Sequence, residues 1–228
     1  MNAHLDAIRN KAAALLAEMP PGVTLEVAAK KRSPAEVTAA FEGGIRVFGH
    51  NYVQEAQRML TAIKFSAEWH LIGHLQSNKA GAAVQSFDML ETVDSLKLAQ
   101  RLNQVCIAIR KVMPVLIEVN SGREENKNGV MPEDVVTLAL QIAGLPNLRL
   151  EGLMTMGPLS AEERDSRPFF NTTRKIFEAL SGADLGSGAM RVLSMGMSGS
   201  YRVALDEGAN LVRLGTAIFG ARREKPLD

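Results

Sequence analysis

The order of apolar and polar segments along the chain predicts repeated strand–helix units. An opening helix carries Leu5, Ile8, Ala12 and Leu15 on one face. After it, short apolar runs typical of buried strands alternate with segments in which apolar residues recur every three or four positions. The predicted strands cover residues 23–31, 45–49, 69–73, 89–93, 114–120, 148–154, 191–194 and 211–214.

Local signals predict where several helices begin and end. Ser33-Pro34-Ala35-Glu36 has the form of a capping box with proline at the first helical position, and glycine at 43 ends that helix. Asn51 can cap the next helix, and Ser95 or Asp94 the long helix that follows the fourth strand. Residues 160–163 predict a further capping box.

Eight strands alternating with eight helices, after the opening helix, favour an α/β fold. No change in composition marks a domain boundary, so we expect one domain over residues 1–228. The count favours a single-domain (β/α)8 TIM barrel with an extra N-terminal helix. An open doubly wound sheet stays an alternative, because alternation alone does not show whether a sheet closes.

Composition and charge exclude some classes of function. The chain is 46% apolar and 22% charged with a formal net charge of +1, which argues against a nucleic-acid or membrane-surface role. Apolar runs are too short to span a bilayer, and the N-terminus does not have the apolar core of a signal peptide. We therefore expect a cytoplasmic protein with a small-molecule ligand.

Cysteine and histidine usage adds two expectations. The single cysteine, Cys106, excludes an internal disulfide and suits a reducing compartment. It is in line with Ala99, Leu102 and Ile109 at helical spacing, which predicts a thiol in the core rather than a nucleophile. No group of Cys, His and carboxylate residues has the spacing of metal ligands, so we expect no metal site.

The first strand ends on two lysines. Residues 23, 25, 27 and 29 are apolar and share one face, which Lys31 continues and which we expect to line the barrel lumen, whereas Lys30 falls on the opposite face. A lysine at the C-terminal end of a barrel strand can be a Schiff-base nucleophile if cationic neighbours such as Lys30 and Arg32 lower its pKa. A solvated surface lysine is the alternative interpretation.

Polar side chains follow other predicted strand ends, as a barrel active site requires. They are Asn51, His74, Asn120, Thr155, Ser194 and Arg213. Residues 195–200 and 214–216 are small-residue turns leading into helices, where glycine, hydroxyls and free amides can hold a phosphate. Together with Lys31, these residues predict a phosphorylated carbonyl compound held as an imine. Tight turns alone would also explain the glycines. For His74 a hydrogen bond within the core is an equal alternative to ligand contact, and we expect His70 to be structural.

Five long motifs carry a family resemblance. They are Lys31-Arg32-Ser33-Pro34, residues 48–55 (FGHNYVQE), 69–79 (WHLIGHLQSNK), 193–198 (LSMGMS) and 212–222 (VRLGTAIFGAR). The chain resembles the pyridoxal 5′-phosphate homeostasis protein family (YggS/PROSC type), which is similar to the N-terminal barrel of alanine racemase. The resemblance covers residues 5–222. It implies a fold-type III barrel with a role in vitamin B6 and amino-acid homeostasis rather than a defined turnover.

The resemblance also implies a cofactor site. Lys31, three residues before Pro34, corresponds to the lysine that carries pyridoxal 5′-phosphate covalently as an aldimine. Arg213 corresponds to the partner of the pyridine nitrogen. The phosphate would be held by Ser198, Gly215 and Thr216, and the pocket lined by Asn51, His74, Met154, Ser194 and Met197.

Three departures from the family pattern bear on this site. His50 replaces a glutamate, Gly199-Ser200 replaces an acidic helix start, and Ala29-Lys30 replaces Val-Ser, so that two adjacent lysines compete for the cofactor.

The expected function is a monomeric carrier that binds the cofactor and passes it to apo-enzymes, with amino acids as further small-molecule partners. An amino-acid racemase is the alternative, but racemases of this type add a second domain with a catalytic tyrosine, and only Tyr52 and Tyr201 are present here. A Schiff-base aldolase acting on sugar phosphates is a third possibility from the residues alone.

Overall fold

Eight parallel strands close into one barrel in chain order, from β1 beside β2 round to β8 beside β1. This is a computed structural model, and it describes residues 2–157 and 166–221. The closed barrel confirms the predicted TIM-barrel fold, and the open-sheet alternative is wrong. The strands are β1 (Thr24–Ala28), β2 (Val47–His50), β3 (Glu68–Leu71), β4 (Met89–Val93), β5 (Met113–Glu118), β6 (Leu148–Thr155), β7 (Val192–Met195) and β8 (Leu211–Leu214).

Helices follow the strands and form the outer layer, with one extra helix at the N-terminus as predicted. The helices are α1 (Ala3–Glu18), α2 (Pro34–Glu42), α3 (Val53–Ala62), α4 (Ala80–Ser86), α5 (Leu96–Ile109), α6 (Val135–Ala143), α7 (Arg167–Leu180), α8 (Tyr201–Asp206) and α9 (Thr216–Phe219). Short 3-10 turns at Ser77–Lys79 and Pro132–Asp134 precede α4 and α6.

The helix caps test the local signals. At the start of α2 the capping box is present: the Glu36 N–H donates to Ser33 Oγ at 3.3 Å, and the Ser33 N–H donates to Glu36 Oε2 at 2.8 Å. Ser95 caps α5. The predicted cap at Asn51 is wrong, because Tyr52 is the N-cap of α3 and its side chain makes no capping bond. The box predicted at 160–163 lies outside the described residues.

The two faces of β1 are the reverse of the expected arrangement. Leu25, Val27 and Ala29 belong to the apolar core that includes the helices, whereas Glu26 points into the lumen toward His70 of β3 and Glu91 of β4. The predicted lumen face was therefore wrong. In a parallel barrel both faces of a strand are buried, so the more apolar face can be the one against the helices.

Two smaller expectations can be checked against the fold. Cys106 is fully buried, which confirms a core thiol, although Ile109 on the same predicted stripe is 42% exposed. None of the helices within residues 2–157 and 166–221 is long and apolar enough to cross a membrane.

His50 has an unusual environment on the helix side of β2. It stacks on Trp69 with ring centroids 5.7 Å apart, and neither ring nitrogen has a hydrogen-bond partner among the described residues. Burial lowers the pKa of His50 from 6.5 to about 4. The imidazole is therefore neutral in the folded protein at pH values where an unfolded chain would protonate it.

This environment predicts a pH-dependent stability difference for His50→Phe, which keeps an aromatic ring on Trp69. The wild type should lose free energy of unfolding as pH falls from 6.5 toward 4, because protonation favours the unfolded chain, whereas the variant should not incur this loss. The variant should gain up to about 3 kcal/mol relative to wild type over this interval. Urea unfolding of both proteins at pH 7, 5.5 and 4 measures it, and a pH-independent difference would contradict it.

Candidate functional site

The turns after β7 and β8 meet at the C-terminal end of the barrel. Gly196 has φ +88°, and a Cβ on it would lie 2.6 Å from Ala204 Cβ, so the turn requires glycine. Ser198 Oγ accepts hydrogen bonds from the backbone N–H groups of Gly215 and Ala217, both at 3.2 Å. An oxygen held by two backbone amides is the arrangement that suits an anion such as phosphate.

This anion-type site lies directly beside the end of β1. A Cβ built on Gly215 would be 3.6 Å from both the Cβ and the carbonyl oxygen of Ala28, the last residue of that strand. The structure thus brings Ser198, Gly215 and the β1 terminus together, as the sequence predicted. Thr216 follows Gly215 as the first residue of α9 and is exposed.

The two lysines after β1 lie in a turn closed by a hydrogen bond from the Arg32 N–H to the Ala29 carbonyl oxygen, and both side chains lie near Tyr52. Lys31 is exposed, has φ +59°, and donates its backbone N–H to the Glu55 carboxylate. Its side chain lines a cavity of 580 Å³ with Tyr52 and Arg58, next to α2 and α3. Lys30 is half-buried, and its Nζ lies 5.2 Å from the centre of the Tyr52 ring. Lys30, the second residue after β1, also has the sequence parity of the lumen residue Glu26, whereas Lys31 does not.

Arg213 and Ser194 meet inside the barrel. Arg213 is 3% exposed and donates to Ser194 Oγ and, at 2.8 Å, to the carbonyl oxygen of Thr155. Ser194 in turn donates to Glu91 Oε2 at 2.6 Å. Met154 is also fully buried and packs with Met89 and Leu116 in a separate apolar cluster of the lumen.

A buried cluster of ionisable side chains lies near Arg213. Burial raises the pKa of Glu26 well above its ordinary range, and the charge of Glu91 adds to this. Burial lowers the pKa of His70, but the surrounding carboxylates, Glu68 first, outweigh it and raise the pKa well above 6.5. Burial alone would raise the pKa of Glu91, yet its contacts with His70 and Arg213 lower it. The shifts in pKa thus favour the neutral form of Glu26 and the charged forms of Glu91 and His70.

The remaining predicted residues line separate cavities. Asn51 and His74 border a cavity of 380 Å³, and His74 is exposed with its Nδ1 3.3 Å from Asp94 Oδ2. Met197 and Asn120 border another of 180 Å³. The structure thus joins Ser198, Gly215, Ser194 and Arg213 into one region but does not bring Asn51 or His74 into contact with it.

Sequence reasoning missed three buried acids. Glu26, Glu91 and Glu118 are at most 5% exposed, and burial raises the pKa of Glu118 to about 7. The available signal was a carboxylate inside each apolar strand segment, as in TLEVA and MLETV. Acidic residues are almost never fully buried without a partner, so a glutamate within a predicted buried strand indicates a candidate site residue.

Comparison with known proteins agrees with this architecture. A family model described as alanine racemase, N-terminal domain, matches residues 3–223. Proteins named pyridoxal phosphate homeostasis protein are 37% identical in Pasteurella multocida over 210 residues, covering 90% of each chain, and 39% identical in Schizosaccharomyces pombe, covering 90% of this chain and 87% of that protein. The protein of that name in Escherichia coli K12 is 35% identical and covers 96% and 95%.

Solved structures with the same barrel fold also match this chain. PipY of Synechococcus elongatus without pyridoxal phosphate superposes with a TM-score of 0.88 at 33% identity, covering 93% of this chain and all of that one. PipY with pyridoxal phosphate bound gives 0.84 at the same identity and coverage. An alanine racemase of Clostridium difficile gives 0.76 at 17% identity, with 98% of this chain matching 57% of that one, which is a likeness of fold.

Proposed function

Because this chain belongs to the pyridoxal phosphate homeostasis protein family, within the larger alanine racemase N-terminal domain family, we propose that it binds pyridoxal 5′-phosphate at the C-terminal end of its barrel. Its role is to hold the cofactor and release it to apo-enzymes, in vitamin B6 and amino-acid homeostasis. The bound form of PipY, a relative at 33% identity, supports this choice of ligand.

The observation that carries the proposal is the meeting of the phosphate-type turns with the end of β1. The amides of Gly215 and Ala217 donate to Ser198 Oγ in this structure, and a phosphate oxygen would take the place of that hydroxyl oxygen. The hydroxyls of Ser198 and Thr216 would then donate to the phosphate. Arg213 would face the ring from inside the barrel. When bound, the cofactor supplies an aldehyde that a lysine amine can attach to covalently. One of the two lysines that follow β1 would provide that amine.

We assign the covalent lysine to Lys30 rather than to Lys31. Lys30 has the sequence parity of the lumen residue Glu26, and it is half-buried, whereas Lys31 is exposed. Lys31 is turned out of the strand by its positive φ and borders a cavity next to α2 and α3. The sequence predicted Lys31 as the covalent lysine because it lies three residues before Pro34.

The lining of the site follows from the same geometry. Met154, Ser194 and Met197 remain proposed contacts of the cofactor, because each lies on or just after a strand that borders the lumen. Asn51 and His74 remain proposed at the rim, where their own cavity begins at the end of β2.

The proposal includes a monomeric protein in the cytoplasm. Every group assigned to the site comes from one chain, so a second copy is not needed to complete it. The buried Cys106 suits a reducing compartment. Size-exclusion chromatography with light scattering tests the oligomeric state.

The absorption spectrum of the purified protein with pyridoxal 5′-phosphate, before and after borohydride reduction, tests the function. We expect a visible band that reduction removes, leaving one cofactor attached per chain. A colourless protein that keeps no cofactor would contradict the proposal and favour a Schiff-base aldolase acting on sugar phosphates.

Removing the two hydroxyls at the phosphate site should weaken cofactor binding without unfolding the protein. Each can donate a hydrogen bond to a charged phosphate, worth roughly 1.5–3 kcal/mol. The Ser198→Ala, Thr216→Ala double variant should therefore bind pyridoxal 5′-phosphate at least tenfold more weakly and melt, free of cofactor, near the wild-type temperature. Fluorescence titration measures the affinity, and Ser181→Ala, at an exposed serine elsewhere, is the control. An unchanged affinity would remove these turns from the site.

A further inference from the structure

Three side chains from three strands converge inside the barrel. Glu26 of β1, His70 of β3 and Glu91 of β4 are at most 2% exposed, and one potential ligand atom from each lies within 4.8 Å of the others. His70 Nδ1 is 2.8 Å from Glu91 Oε1 and 3.8 Å from Glu26 Oε1. In a tetrahedral site with metal–ligand bonds of about 2.0–2.1 Å, neighbouring ligand atoms are about 3.3 Å apart. The observed separations lie on either side of this value.

Glu26 is the member of this cluster whose buried carboxylate has no hydrogen-bond partner among the described residues. It is 0% exposed, and neither of its two oxygens has such a partner. A buried carboxylate left without a partner is costly, so it must be satisfied by a proton or by a cation. Gly49 on β2 leaves the space that this carboxylate occupies, because a Cβ there would overlap Glu26 Oε1. The strand pair is thus shaped to hold the group against His70 and Glu91.

The outer contacts of the cluster resemble the surroundings of metal ligands. His70 Nε2 contacts Glu68 Oε1 at 3.1 Å, which orients the ring so that Nδ1 faces the other two acids. Glu91 Oε2 accepts the Ser194 hydroxyl at 2.6 Å, so that Oε1 is the oxygen facing His70. A second-nitrogen contact to a carboxylate and a hydrogen-bonded ligating carboxylate are both usual around bound metals.

We propose that Glu26, His70 and Glu91 bind one first-row divalent cation, with Zn²⁺ as the reference metal, inside the barrel. Two carboxylates and one imidazole are a donor set found in zinc sites. Arg213 Nη1 lies 3.7 Å from Glu91 Oε2, so the carboxylates of Glu26, Glu91 and Glu68 together would balance the guanidinium and the dication. Glu68, whose side chain is 51% exposed, contacts His70 and marks the solvent-facing side of the cluster. The site is distinct from the phosphate-type turns, which lie beyond the C-terminal end of the strands.

Metal titration of the chelator-treated, cofactor-free protein tests the proposal. We expect Zn²⁺, followed by calorimetry and by elemental analysis after gel filtration, to bind at one ion per chain. Co²⁺ should give the visible absorption of a coordinated ion that Zn²⁺ then displaces. Both metals should also raise the melting temperature of the wild type, since a ligand that binds only the folded state stabilises it.

Matched variants connect the binding to the cluster. Glu26→Gln keeps the side-chain shape but removes the charge, and it should weaken Zn²⁺ and Co²⁺ binding by about 100-fold or more, because loss of even a supporting contact costs about 10–100-fold. Glu118→Gln, at another buried acid of the barrel, should keep the wild-type stoichiometry. Absence of a bound ion in the wild type would overturn the proposal and leave the cluster as a proton-sharing pair of acids. Equal binding by wild type and Glu26→Gln would overturn it as well, by placing the metal elsewhere.

Discussion

Lys30→Ala should abolish the borohydride-stable attachment of pyridoxal 5′-phosphate, whereas Lys31→Ala should retain it. Lys30 has the sequence parity of Glu26 and Ala28, and Ala28 is the β1 residue that lies beside Gly215. The visible band at saturating cofactor should disappear in the first variant and persist in the second. Non-covalent binding through the phosphate should remain measurable in Lys30→Ala, which separates loss of the covalent link from loss of the site.

Peptide mapping of the reduced wild-type protein gives the same answer without mutation. Cleavage after glutamate releases residues 27–36, a peptide that contains both lysines and ends at Glu36. Fragmentation of this peptide should place the cofactor mass on Lys30. A mass on Lys31 would contradict the register argument and restore the assignment based on the distance to Pro34.

The loaded protein should exchange its cofactor linkage with free amino acids yet racemise them negligibly. Racemisation requires a proton to be removed from one face of the substrate and returned on the other, which takes a base on each side. Lys30 can serve one side, and Tyr52 lies against its Nζ and so belongs to that same side. The Tyr201 hydroxyl is 3.5 Å from Glu18 of α1, outside the barrel. Within residues 2–157 and 166–221 we find no tyrosine placed to serve the opposite face.

Arg213 adds a second reason for weak catalysis. A guanidinium is permanently charged and can only donate hydrogen bonds, so a pyridine nitrogen facing it would stay unprotonated and the ring would attract electrons weakly. We expect a spectral shift when amino acids are added. Turnover should be far below the usual enzyme range of about 1–10³ per second.

Chiral chromatography of alanine and serine after long incubation measures this turnover. Arg213→Ala is an unsuitable control, because that side chain also holds Ser194 and Thr155 in place. The apoprotein and Lys30→Ala are better matched, since both keep the barrel but lose the covalent link. Racemisation at 1 per second or faster would favour the racemase alternative.

The sequence by itself predicted the barrel fold and the two small-residue turns of the proposed phosphate site. Strand–helix alternation depends on local periodicity and on turn residues, which the chain carries regardless of what surrounds them. The capping box at Ser33 and the small-residue turns around Ser198 and Gly215 were therefore predictable, and their geometry confirms them. The count of eight strands favoured a closed barrel, but an open sheet stayed possible until the pairing of β8 with β1 showed that the sheet closes.

Only the tertiary structure decided which face of β1 lines the lumen, and with it which lysine continues that face. Both faces of a barrel strand are buried, so the apolar pattern of Leu25, Val27 and Ala29 could not distinguish the lumen from the helix layer. The same limit explains the cluster of Glu26, His70 and Glu91. These residues are far apart in the chain, so no local spacing predicts that they lie together. Their side chains meet only because three strands of a closed barrel direct them into one lumen.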